Sequence, residues 1–128
     1  MGNILNSHHP MRHVKSFHYA FLGIIHAMLN EPNFRVQLLI AIISLILGIH
    51  FKISNIEWGL LTLSMGSLLS AELVNTVVEE FLDHLIKEYH EEAKIIKDVA
   101  AGFVLITAIT ALIIFILIFS HRIPYLFI

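Results

Sequence analysis

The stretch AELVNTVVEEFLDHLIKEYHEEAKIIKD, from Ala71 to Asp98, decides how this chain is read. It begins as the end of a long apolar run, yet Glu72, Asn75, Glu79 and Asp83 stand in it. At about 100° per residue these four fall within a stripe about 80° wide on one helix face. A carboxylate inside or at the edge of hydrocarbon is expensive, and in a span such a residue turns toward a bundle interior. Downstream, Lys97 and Asp98 stand immediately before a second apolar run. Acidic groups on one helix therefore face the surface end of the next. That layout suits metal-assisted phosphoryl transfer at a membrane surface.

Composition agrees with a membrane setting. Of 128 residues, 57% are hydrophobic and 14% charged, against about a quarter charged in a typical soluble domain. Three apolar segments account for the difference, which predicts a small all-α integral membrane protein with one domain. A net charge of −2 without a Lys/Arg-rich tract gives no argument for nucleic acid. The absence of cysteine excludes disulfides, thiolate chemistry and Cys-based metal sites.

The order of segments follows from periodicity and punctuation. Residues 1–11 read as a flexible tail, and a single membrane domain is expected over 12–122, with a C-terminal tail over 123–128. Over 12–30, Val14, Phe17, Phe21, Ile24, Ile25 and Met28 share one face, which predicts an amphipathic helix lying in the interface plane. Glu31-Pro32 breaks it, because a residue before proline is pushed out of the α region. Pro32 suits the first turn of a new helix, so Glu31 is expected at its N-cap, projecting a carboxylate from the hinge. Spans are predicted at about 34–51, 56–78 and 99–119. Six of the eight Lys and Arg, namely Arg12, Lys15, Arg35, Lys87, Lys94 and Lys97, fall on the N-terminal side of the membrane. Only Lys52 and Arg122 fall on the other, which predicts a cytoplasmic N-terminus.

Magnesium prefers one or two carboxylates plus phosphate oxygens. Glu31 and Glu79, both near the surface, suit that pair. Glu72 lies roughly 9 Å deeper than Val78 at 1.5 Å per residue, a depth suited to a lipid hydroxyl and to a general base acting on it. Lys97 is placed to reach a phosphate. Asp83, Glu80, Glu88, Glu91 and Glu92 read more simply as solvated loop charge, and Asn75 alone could be helix–helix glue. From the residues alone, a proton or ion carrier stays open beside an enzyme.

The run Glu72-Leu73-Val74-Asn75-Thr76-Val77-Val78-Glu79, with Asp83 four residues on, resembles the signature of the prokaryotic diacylglycerol kinase family, which includes undecaprenol kinases. The likeness continues through Tyr89-His90-Glu91 to Lys97-Asp98-Val99-Ala100-Ala101-Gly102, and upstream through Ser16-Phe17, Ala20-Phe21, Gly23, Asn30-Glu31 and Arg35. It covers about residues 12–120. The resemblance implies a homotrimeric membrane lipid kinase with three spans and a surface helix per subunit, in the bacterial cytoplasmic membrane, using ATP and Mg²⁺. By position it implies Glu72 as catalytic base, Glu31 and Glu79 as metal ligands, and Asn75 beside the substrate, with Asp83 supporting. It further implies Arg12, Tyr19, Glu31, Glu79, His90, Lys97 and Asp98 at the nucleotide. Val77 and Phe103 depart from the family's smaller residues and add bulk beside the site. The alternative is a non-catalytic membrane transporter or accessory subunit that retains the scaffold.

Overall fold

The computed structural model describes residues 10–122, with side chains from Val14 onward. Four helices and no strand make up the described residues: α1 (Pro10–Asn30), α2 (Pro32–His50), α3 (Asn55–Leu85) and α4 (Glu91–Phe119). α1 begins within the stretch expected to be tail. The all-α expectation holds, and α2, α3 and α4 are each long and apolar enough to cross a membrane.

The joint between α1 and α2 is a single residue, built as its sequence dictates. Glu31 is the N-cap of α2 in extended conformation (φ −101°, ψ 109°), and Pro32 opens the helix. The Glu31 amide still closes on Ala27 O at 2.8 Å, so α1 ends and α2 begins without a loop. Arg35 reaches back from α2 to donate to Leu29 O at 2.8 Å and to Met28 O at 3.3 Å. Those are carbonyls that the end of a helix leaves unsatisfied. Among its described side chains α1 buries only Ala27; Phe17, Phe21, Ile24 and Met28 all face outward, as an interfacial helix requires.

α2 turns Phe34, Ala41, Ser44 and Gly48 inward, one face at helical spacing. Small residues let the next helix come close, which is the chief source of packing between helices in lipid. Gly48 is the tightest point: a Cβ there would stand 2.7 Å from Trp58 Cη2. The tight turn after His50 uses Lys52 in the left-handed region (φ 49°). It buries Ile53 and closes its amide on Gly48 O at 3.2 Å. Ser54 and Glu57 then form a reciprocal capping box that starts α3, with bonds of 2.8 and 3.3 Å. Such a pair satisfies two orphan donors at once.

α3 and α4 run antiparallel and supply most of the core, where Leu61, Met65 and Leu68 meet Ala111, Ile118 and Phe119. Phe119 stacks at 4.8 Å from Phe115 and 6.2 Å from Phe51. Arg122 forks onto Glu57 at 2.8 and 3.1 Å, tying the end of α4 to the start of α3. α3 runs to Leu85, well past the expected span end at Val78. At 1.5 Å per residue it is about 46 Å long, against about 30 Å of hydrocarbon. The overhang carries the outer half of the polar stripe, Glu79 and Asp83.

Candidate active site

Along α3 the stripe grades from interior to surface. Glu72 is 1% exposed and Asn75 is buried, Glu79 is half-buried, and Asp83 is exposed. Glu72 owes its place to α2: Gln37 Nε2 donates to Glu72 Oε2 at 2.7 Å. One turn on, Thr76 Oγ1 donates to Glu72 O at 3.0 Å, so that hydroxyl is satisfied within the helix. Asn75 Nδ2 donates to Glu79 Oε1 at 2.8 Å, aligning the two side chains along the stripe.

Two buried oxygens near this line, Gln37 Oε1 and Asn75 Oδ1, have no hydrogen-bond partner. Buried polar atoms are nearly always paired. Each is an acceptor left open to a donor.

At the hinge, Glu31 is half-buried and its carboxylate makes no capping bond. The N-cap position therefore leaves it available, as the sequence predicts. Among the described residues no cluster of three or more His, Asp or Glu side chains forms a closed metal cage. By donor type, the carboxylates of Glu31 and Glu79 and the unpartnered Asn75 Oδ1 are hard oxygens of the kind magnesium takes, a few from the protein with room left for phosphate oxygens.

The outer end of the stripe meets α4. Lys97 Nζ is ion-paired with Asp83 across the α3–α4 connection. Together with Tyr89, His90 and Lys94 these two line a cavity of about 350 Å³. His90 is the N-cap of α4 and makes no side-chain capping bond. Asp98 is exposed and pairs with Lys94 one turn earlier, at 3.1 Å, instead of lining the cavity. Tyr19 is exposed on α1, its ring 5.9 Å from that of His18, and is not among the cavity-lining residues. Arg12 lies outside the described side chains.

Several contacts go beyond the sequence reading. Glu80 and Asp83, read as solvated loop charge, are both on α3 and both paired: Glu80 Oε1 lies 2.6 Å from His26 Nε2 on α1. Glu88, Glu91 and Glu92 are exposed. Gln37 was passed over, although a lone amide in an apolar run is itself a signal. Val77 is exposed beside Glu80, in a gap of about 310 Å³ between α1 and α3. Phe103 lines a separate groove with Gly66, Ser67 and Ser70.

Three helices long and apolar enough to cross a membrane thus carry a buried carboxylate, a stripe of polar groups and, at one end, a cavity lined by Lys94 and Lys97. The model of the prokaryotic diacylglycerol kinase family matches residues 18–119. The undecaprenol kinase of Bacillus subtilis is 39% identical over 111 residues, covering 87% of this chain and 90% of its own. The diacylglycerol kinase of Escherichia coli K12 is 30% identical over 111 residues, covering 86% and 91%. That of Helicobacter pylori 26695 is 32% identical over 92 residues, covering 72% of each. The chain belongs to the prokaryotic diacylglycerol kinase family, a family of lipid kinases.

Proposed function

We propose that this chain is an ATP- and Mg²⁺-dependent kinase that phosphorylates the hydroxyl of a membrane lipid alcohol at the cytoplasmic surface. The observation that carries the reading is Glu72: a carboxylate 1% exposed, oriented by an amide on the neighbouring helix, at the inner end of a polar stripe. A buried carboxylate in a span is costly without a task.

In this reading Glu72 takes the proton from the lipid hydroxyl, whose oxygen attacks the γ-phosphorus as the bond to ADP breaks. Asn75 keeps Glu79 aligned and offers its unpartnered Oδ1 beside the acceptor. Glu31 and Glu79, with Asn75 supporting them, would hold magnesium, which when bound would supply positive charge to offset that developing on the phosphates. The cavity lined by Asp83, His90 and Lys97 receives the nucleotide, with Lys97 exchanging its carboxylate partner for a phosphate. Tyr19, Arg12 and Asp98 are assigned to the nucleotide by family resemblance alone.

The cytoplasmic assignment rests on charge. Lys15, Arg35, Lys87, Lys94 and Lys97 gather at the end of the bundle where α1 meets α3, while Lys52 and Arg122 mark the other. Assembly as a homotrimer accords with the apolar faces that α2, α3 and α4 leave uncovered. The identity to the relative named undecaprenol kinase, 39% against 30% for the Escherichia coli diacylglycerol kinase, favours a polyprenol acceptor.

The test is purified full-length protein given labelled ATP and vesicles containing either undecaprenol or diacylglycerol. Label should enter the polyprenol faster, and Glu72→Gln should lose at least about two orders of magnitude in turnover. Nucleotide binding by that variant should be unchanged. Turnover within a few-fold of wild type would remove Glu72 from the mechanism, and labelling of neither lipid would end the kinase reading.

A further inference from the structure

α1 carries a proposed metal ligand at its end, yet almost nothing apolar holds that helix to the bundle. Among its described side chains, from Val14 onward, the one buried residue is Ala27. Facing α3 it presents Ala20, Gly23 and Ala27, and a gap of about 310 Å³ remains between the two helices. Across this gap runs a polar tie: His26 Nε2 lies 2.6 Å from Glu80 Oε1.

The tie is itself oriented. Asn30 Nδ2 donates to His26 O at 2.9 Å and stands 3.2 Å from His26 Nδ1. An amide nitrogen is a donor only, so Nδ1 accepts and Nε2 carries the hydrogen given to Glu80. A neutral imidazole suffices for this bond.

Its location matters more than its strength. Glu80 adjoins Glu79 in sequence, and His26 precedes Glu31 by little more than one helical turn. Between His26 and Glu31 the backbone is closed by the Glu31-to-Ala27 bond, and Arg35 caps the Leu29 and Met28 carbonyls. That segment therefore moves as one piece with Glu31.

We infer that His26 and Glu80 are positioning residues, whose hydrogen bond seats the end of α1 on α3 and so sets the spacing between Glu31 and Glu79. The inference rests on the proposed metal role of those two carboxylates. Neither His26 nor Glu80 touches substrate.

The experiment uses full-length protein in bilayer discs, with Mn²⁺ as the probe metal, its free concentration read by electron paramagnetic resonance, and hydrogen exchange followed over residues 26–31. His26→Ala and Glu80→Ala should each weaken Mn²⁺ binding about threefold to tenfold, as loss of one hydrogen bond allows, and should speed exchange at the end of α1. The exchanged pair His26→Glu with Glu80→His should restore both readouts to within about twofold, which a merely structural role for either side chain would not predict. Glu31→Gln serves as reference. If Glu31→Gln binds Mn²⁺ normally, the metal reading fails and takes this inference with it. If Glu31→Gln is impaired while the single variants bind within about twofold of wild type, the positioning inference alone is overturned. A double variant as weak as the singles overturns it equally.

Discussion

Replacing Gln37 by leucine isolates what the α2 amide does for Glu72. The side chains are similar in size, so packing against α3 is kept while the donor is removed. In the structure that donor lies 2.7 Å from a carboxylate oxygen on a residue only 1% exposed. Water cannot readily replace it. A hydrogen bond to a charged group contributes about 1.5–3 kcal/mol. If the loss falls wholly on the transition state, at 1.36 kcal/mol per tenfold, turnover drops by about one to two orders of magnitude. The assay is initial-rate phosphorylation of lipid by purified Gln37→Leu, with nucleotide affinity measured on the same preparation. Affinity should stay within about twofold, because the nucleotide cavity is formed by other residues. Turnover within threefold of wild type, in a protein where Glu72→Gln is inactive, would refute the claim that Gln37 orients the base.

Lys97→Met should weaken nucleotide use about tenfold or more, the loss expected for a charged contact to phosphate, as read from the ATP concentration at half-maximal rate. Asp83→Asn should change the same quantity by less than about fivefold. With side chains 35% and 66% exposed, that ion pair is worth about 1 kcal/mol at most. Gly48→Ala should lower the midpoint of thermal unfolding in detergent, with a stability loss of about 1–3 kcal/mol, because its new methyl would meet Trp58 at 2.7 Å. An unchanged midpoint with altered tryptophan fluorescence would mean that Trp58 swings clear instead.

The hinge and the helix starts beside Pro32 and Ser54 depend on local chemistry, whereas the spans expected from hydropathy stop short of the helices: α3 runs on to Leu85 and α4 begins at Glu91. Glu31-Pro32 breaks the chain where backbone sterics require it, and the stripe from Glu72 to Asp83 keeps the face that its spacing predicts. Ser54 and Glu57 spell a capping box that the sequence states openly and a reading for spans alone overlooks. Partners across helices were another matter. Periodicity tells which residues share a face, not which neighbour that face meets, so Gln37 beside Glu72 and His26 beside Glu80 emerge only once the helices pack. The same limit explains why Glu80 and Asp83 read as solvated charge: each partner lies on a different helix.

The two ion pairs that join α3 to α4 can be regarded as marks on a pair of rulers. Glu57 with Arg122 lies at one end and Asp83 with Lys97 at the other. At 1.5 Å per residue, about 39 Å of helix separates Glu57 from Asp83, and about 33 Å runs from Lys97 to Phe119, with the turn to Arg122 covering the remainder. The graduations agree, so both ends can be engaged at once. Inserting one residue between the marks on either helix would shift them by about 1.5 Å and turn one end by about 100°. The bundle could then keep only one pair. Lengthening of one helix has to be answered in the other, whereas the connection at 86–90 and the turn at 51–54 lie outside both rulers and do not enter their register.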